Sequence, residues 1–294
     1  MTRPLVVLLS ALVLTACSGG PSEREEITDA YFFPAPPDAA RIQYLTSLNG
    51  SRDFDADRPL LDYVLGSEDK SRYAIAKPFS VASWKGRVYV TDSFGAQGLN
   101  VFDLENKRFY ILGQAEGPGQ LKKPIHVFVD EDGYKYVSDR VRQQVLVYGP
   151  DDAYLRSYGQ RGAFLPIACV TYGSEVFILD VKKDKVTDAE PDPDDPDAYT
   201  EVRRDQILVL DKETGEPLRR LGQHGGGRDG FSFAGFLTID RLGFLYVSDV
   251  MNYRVVKMDR EGRVHSEFGR QGDRAGNFAH MKAVAVDQRG LVYV

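Results

Sequence analysis

The chain has 294 residues, 43% of them hydrophobic and 27% charged, with a formal net charge of −6. Such a composition is ordinary for a globular protein, and the length suits one large domain or two smaller ones. The acidic balance and the scattered lysines and arginines exclude a nucleic-acid footprint, which needs a concentrated basic face.

The first element is Met1-Thr2-Arg3-Pro4 followed by the apolar run Leu5 to Leu14 and then Thr15-Ala16-Cys17-Ser18. The run is too short to span a bilayer, which takes about 20 apolar residues, and has the length of a signal-peptide core. No later segment reaches spanning length. Leu14-Thr15-Ala16-Cys17 resembles the lipobox of bacterial lipoproteins. The resemblance implies cleavage before Cys17 and acyl chains, including diacylglycerol, on Cys17. Several acyl chains together anchor stably where a single chain is marginal. It therefore implies a cell-envelope protein held to a membrane through Cys17. Ser18, rather than Asp, follows the cysteine, so the outer membrane is expected over the inner. The alternative readings are an ordinary cleaved signal peptide with a chance cysteine, or an N-terminal core helix. The polar stretch from Ser18 to Glu26 gives such a helix nothing to continue into.

Residues 17–40 are expected to form a polar tether, with Phe33-Pro34-Ala35-Pro36-Pro37 within it. Residues 41–294 are expected to form one domain. Its first segment, Arg41 to Leu48, alternates as a strand does. Pro59 is placed to open a short helix or turn through Leu65. The only other cysteine, Cys169, lies in the apolar run Ile167-Ala168-Cys169-Val170. With Cys17 lipidated it has no disulfide partner, and it is expected to be core rather than a nucleophile.

From about Lys77 the chain repeats. Tyr89-Val90-Thr91-Asp92, Tyr136-Val137-Ser138-Asp139, Phe177-Ile178-Leu179-Asp180 and Tyr246-Val247-Ser248-Asp249 are copies of one motif, and Val292-Tyr293-Val294 begins a fifth. A second landmark keeps step before each aspartate: Pro78, Pro124 and Pro166, with Ala234 and Met281 in the same slot. Between the landmarks stand apolar-Asp-x-x-Gly hairpins at Asp130, Asp240 and Asp287, where Asp starts the turn and Gly supplies positive φ. Gly113, Gly159, Gly222 and Gly269 end the copies. Each unit has four short strands in about 45 residues, the pattern of a propeller blade. One such sheet cannot bury both faces; several packed around an axis can. The tyrosines and valines of the second strand are expected to fill the space between blades.

Tyr246-Val247-Ser248-Asp249-Val250-Met251-Asn252-Tyr253-Arg254-Val255 resembles the NHL repeat, with its Tyr-Val-x-Asp-x-x-Asn-x-Arg-Val pattern. The other copies depart from it: Arg142 and Gln144 stand where Asn and Arg would, and the first copy has an insertion at Gly95 to Gly98. The resemblance covers about residues 77–294 and implies an all-β propeller, six-bladed when complete. Four blades are whole and a fifth has begun, so a C-terminally truncated sequence is expected, with Arg41 to Leu48 the candidate to close the ring.

Some propellers of this kind are metal-dependent lyases or lactonases with a divalent metal in the channel. The slot two residues after the landmark holds Ser80, His126, Ala168, Phe236 and Ala283. Only His126 is a metal-ligand type, and zinc or calcium needs more; it is expected to be a satisfied channel or core histidine. His224 lies in the glycine-rich run Gln223 to Arg228, which lacks the ending of a phosphate loop. His265 and His280 have no partner at a metal-ligand spacing. The third copy is interrupted at about 182–205 by an acidic, proline-rich insertion, Asp188 to Asp197. It is expected to be solvated, lacking the glycine and glutamate of an EF-hand loop. These features predict a non-enzymatic, membrane-anchored scaffold that binds proteins or peptides, with no catalytic, metal or cofactor residues. The alternative is a metal-dependent lyase or lactonase-like hydrolase at the channel.

Overall fold

The computed structural model describes residues 32–33, 42–54, 73–92, 94–95, 97–186 and 200–294. Cys17, the signal segment, the Pro59 turn and the acidic centre of the insertion lie outside the described residues. The chain divides into two compact units, Met1–Ser47 and Leu48–Val294. In the first, β1 (Phe32–Phe33) pairs antiparallel with β2 (Ile42–Gln43). The segment expected to close a ring thus has its described strand in this small hairpin. Among the described residues no helix is long and apolar enough to cross a membrane.

The second unit is an all-β propeller array of four four-stranded antiparallel blades. The first blade is β3 (Pro78–Trp84), β4 (Arg87–Asp92), β5 (Leu99–Asp103) and β6 (Arg108–Leu112). The second is β7 (Pro124–Val129), β8 (Lys135–Asp139), β9 (Gln144–Tyr148) and β10 (Tyr154–Tyr158). The third starts with β11 (Pro166–Tyr172) and β12 (Glu175–Asp180). A separate ribbon follows, β13 (Lys183–Val186) paired with β14 (Thr200–Arg203). The blade then resumes with β15 (Gln206–Asp211) and β16 (Pro217–Leu221). A short parallel pair, β17 (Gln223–His224) and β18 (Gly230–Phe231), leads to the fourth blade. That blade is β19 (Ala234–Ile239), β20 (Leu245–Asp249), β21 (Arg254–Met258) and β22 (Val264–Phe268). A fifth hairpin, β23 (Ala285–Val286) with β24 (Val292–Tyr293), follows.

The two sequence landmarks keep step because they are cross-strand partners. Pro78 faces Asp92, Pro124 faces Asp139, Pro166 faces Asp180 and Ala234 faces Asp249. Directly after each, the register shifts by a bulge, which bends the strand where the blade meets its loops. Proline suits that first strand position because it has no N–H to give the ladder.

The middle blades are apolar on both faces, and alternation along a strand decides which neighbour each side chain meets. Val137, Leu146 and Tyr148 of the second blade pack with Tyr89, Leu99 and Val101 of the first. Tyr136, Val145 and Val147 turn the other way, onto Cys169, Val176 and Ile178 of the third. The third and fourth blades meet through Phe177, Leu179, Val209, Leu237, Val247 and Val256. Each such side chain contributes roughly 1.5–3 kcal/mol by burial. The first blade differs on its outward face. Phe79 and Val81 are 55% and 67% exposed, whereas their counterparts Ile125 and Val127 are 5% and 3% exposed.

Candidate functional site

The channel slot is packed. Ser80 Oγ accepts the Val127 N–H at 3.3 Å, and His126 Nδ1 accepts the Cys169 N–H at 3.4 Å. The His126 ring stands edge-on to Phe236, centroids 4.8 Å apart. Burial pushes its pKa down to about 3, so the imidazole is neutral. Burial likewise pushes the Cys169 thiol up to about 12, and its Sγ donates to Tyr136 O at 3.6 Å. Both side chains are core. Among the described residues no three His, Cys, Asp or Glu side chains come together as a metal set. The residues described in the channel therefore do not fit a divalent cation, and no chemistry is derived through one.

The motif aspartates are structural staples. Asp92 accepts backbone N–H groups from Ala76, Lys77, Phe94 and Gly95. Asp139 does the same with Lys122, Lys123, Val141 and Arg142. Each ties the loop entering its blade to the loop after the second strand, satisfying donors that the bulged strand leaves open. Burial works to raise the Asp92 pKa, but its four N–H donors outweigh it and hold the carboxyl below the ordinary value. At Asp249 burial prevails and the pKa is raised, against hydrogen bonds from Asn252, Ser232 and Arg254.

The insertion changes this pattern. In the third blade Asp180 accepts the Leu165 and Lys182 N–H groups and also pairs with Arg204 (3.1 Å) and Arg220 (3.4 Å). Arg204 also grips Asp184 of the ribbon through two bonds, of 2.5 and 2.8 Å. The ribbon's exit then delivers Asp205, fully buried, against the start of the fourth blade. Asp205 accepts the N–H groups of Phe233 (3.2 Å) and Ala234 (3.1 Å) and pairs with Arg203 at 2.7 Å. Its Oδ2 lies 3.0 Å from His224 Nδ1.

A buried carboxylate flanked by donors accepts, so the His224 Nδ1 carries the proton in this pair and Nε2 is the ring nitrogen left for other partners. The His224 side chain is 44% exposed. The site is also strained. Asp205 has φ of 42° and Phe233 φ of 60°, left-handed values that cost a bulky residue most. The Arg203 guanidinium stacks on the Phe233 ring at 3.9 Å and donates to Ala234 O at 3.0 Å, which holds this geometry. Strained backbone of this kind concentrates at functional sites. The arrangement is a half-exposed base oriented by a buried carboxylate, the pattern used for proton abstraction.

His265 offers a looser version: its Nε2 is 3.3 Å from Asp259, a carboxylate 13% exposed where Asp205 is fully buried. The residues separating His224 from Asp205 hid their pairing in the sequence. The available signal was an aspartate standing directly before the third strand, a position at which no other copy has one.

No family model matches the chain, and no curated protein matches it in sequence. Solved structures do match in fold. A streptogramin B lyase superposes with a TM-score of 0.51 at 12% identity, over 73% of this chain and 60% of that one. A virginiamycin B lyase from Staphylococcus aureus gives 0.50 at 11% identity, over 74% and 62%. The chain thus spans about three fifths of the length of the structures it matches. The match bears out the propeller of four-stranded blades. It overturns the expectation of a non-enzymatic protein, because both neighbours that share this fold are enzymes. A propeller scaffold without chemistry was expected because the channel slot held no ligand set, and the His224–Asp205 pair lies outside that slot.

Proposed function

We propose that the chain is the propeller of a lipid-anchored envelope enzyme that cleaves its substrate by elimination, with His224 as the base. The observation that carries this reading is the His224–Asp205 pair, held by Arg203 and strained backbone on the propeller's loops. Nε2 takes a proton from the carbon beside a carbonyl. The electron pair left behind forms a carbon–carbon double bond, and the carbon–oxygen bond of the ester or lactone breaks to give a carboxylate. Asp205 keeps the proton on Nδ1 and stabilises the imidazolium that forms. The lyase fold of the solved neighbours supports elimination over hydrolysis at this base. In the same reading Cys17 carries the acyl chains and holds the propeller at the outer membrane. The bare outward face of the first blade supports an NHL-type ring that continues beyond four blades to six.

The test is turnover by the purified protein of virginiamycin B and of a panel of lactones and alkyl esters whose oxygen-bearing carbon adjoins a C–H beside a carbonyl, read by mass spectrometry. Elimination opens a lactone to a product of the same mass; hydrolysis gives one heavier by a water. Turnover without mass gain is expected. Absence of turnover across the panel, or hydrolysed product alone, sinks the lyase reading. Incorporation of labelled palmitate that persists in Cys17→Ala sinks the anchor.

A further inference from the structure

Three cavities lie against one junction, that between the second and third blades. The largest, of about 690 Å³, is lined by Tyr134, Tyr136, Leu155, Arg156, Tyr158 and Lys212 among others. A second, of about 430 Å³, lies on the other side of Tyr158 and is largely apolar, with Phe164, Leu208, Leu210 and Pro217. A third, of about 530 Å³, shares Gly173 and Lys212 with the first. It carries Asp130, Glu131 and Asp132 on one wall and Asp240 on the other. Tyr158 borders the first and second cavities, and Gly173 and Lys212 border the first and third, so the three are neighbours in one grooved surface.

The groove exists because the repeat alternates in its turns. The second and fourth blades join their first two strands by Asp-x-x-Gly turns, closed by Gly133 N–H to Asp130 O and Gly243 N–H to Asp240 O. The third blade uses only Gly173-Ser174 between β11 and β12. Gly173 has φ of 56° and open space where a side chain would stand. A short hairpin between two longer turns leaves a notch.

Along the groove runs β10. Leu155, Arg156 and Tyr158 touch the first cavity, and Ser157 to Gln160 touch the second. Arg156 and Tyr158 share the face of β10 turned to the third blade, where both donate to Lys212 O, so the cavities flank this face of the strand. β10 pairs with β9 alone, which leaves its outer N–H and C=O groups without a ladder. An open edge beside side-chain cavities is the arrangement for strand addition, in which backbone bonds give affinity and the cavities give specificity.

We propose that this groove docks an extended peptide, which adds to β10 as a fifth strand of the second blade. The cavities set its composition. An apolar residue fills the cavity of Phe164, Leu208 and Leu210. Lysine or arginine toward the other end meets the carboxylates of Glu131 and Asp132, since Asp130 and Asp240 already pair with Lys212 and Lys257. The site is separate from His224 and stands whether or not the chain is a lyase.

The experiment uses the whole chain and fluorescent octapeptides with apolar residues at one end and two lysines at the other, in both chain directions, read by polarisation. Saturable binding is expected, weakened by about tenfold when the lysines become glutamates or when alternate peptide nitrogens are methylated. Leu155→Asp, at a half-exposed position in the groove, is expected to weaken binding by a similar factor. Leu218→Asp, equally exposed on β16, is expected to leave it within about twofold. No saturable binding, indifference to N-methylation, or equal loss in both variants overturns the proposal.

Discussion

His126 and His224 sit in one propeller under opposite conditions. His126 is sealed in the channel between Cys169 and Phe236, with no charge beside it, and burial holds it neutral. His224 is half in solvent with a fully buried carboxylate behind it. The first is the histidine that a regular repeat places, in the same register slot as Ser80, Ala168 and Phe236. The second exists because the repeat is broken: the ribbon β13–β14 interrupts the third blade and sets Asp205 where no other blade has an acid. In this propeller the regular slot is committed to packing, and the half-exposed histidine beside a buried carboxylate stands at an irregular one.

The sharpest way to break this comparison is to exchange the roles. His224→Gln is expected to lower turnover by roughly 10²–10⁴ fold, the usual contribution of a positioned base. Asp205→Asn is expected to lose a comparable share by freeing the wrong tautomer. His126→Phe is expected to stay within about threefold of the parent on the same substrate. A His126→Phe loss matching that of His224→Gln would return the chemistry to the channel.

The next effect is on stability, and it comes from His126. Its folded pKa of about 3 lies below the unfolded value of about 6.5. Between these limits the unfolded chain binds a proton that the folded chain does not, so stability falls as pH drops from about 6.5. The loss at pH 4 is on the order of 3 kcal/mol. His126→Phe removes it, so urea unfolding of this variant is expected to change less between pH 7 and pH 4 than that of the parent. Equal changes in the two proteins would mean that His126 is reached by solvent.

The blades were legible in the sequence because their signals are local and periodic. Each motif aspartate faces its landmark across one hairpin, and the Asp-x-x-Gly turns recur with the strands. The His224 site was not legible, because the ribbon's pairing, and not any period, brings Asp205 to it. Lys135 shows the same limit. It is fully buried, 2.6 Å from Asp152, which also accepts the Tyr110 hydroxyl at 2.5 Å. A charge buried by a partner from an adjoining turn leaves no trace in strand alternation.

The smallest effect separates two ways of using a carboxylate. Asp92 gives its oxygens to four backbone N–H groups, and its folded pKa lies below the ordinary value despite burial. Its stabilisation is therefore complete above the ordinary carboxylate range and is lost as pH falls through the lowered value. Asp249 has the opposite sign: burial raises its pKa, so its ionisation opposes folding as pH rises through that value. Asp92→Asn is expected to cost about 1–2 kcal/mol at pH 7, from charge-assisted bonds lost, and less at pH 4. Asp249→Asn is expected to show the reverse trend, with the smaller cost at pH 7. Urea midpoints of the two variants and the parent at both pH values decide it. Parallel trends would mean that the two staples carry the same charge state throughout, and that the contrast between backbone-held and buried carboxylates does not govern this fold.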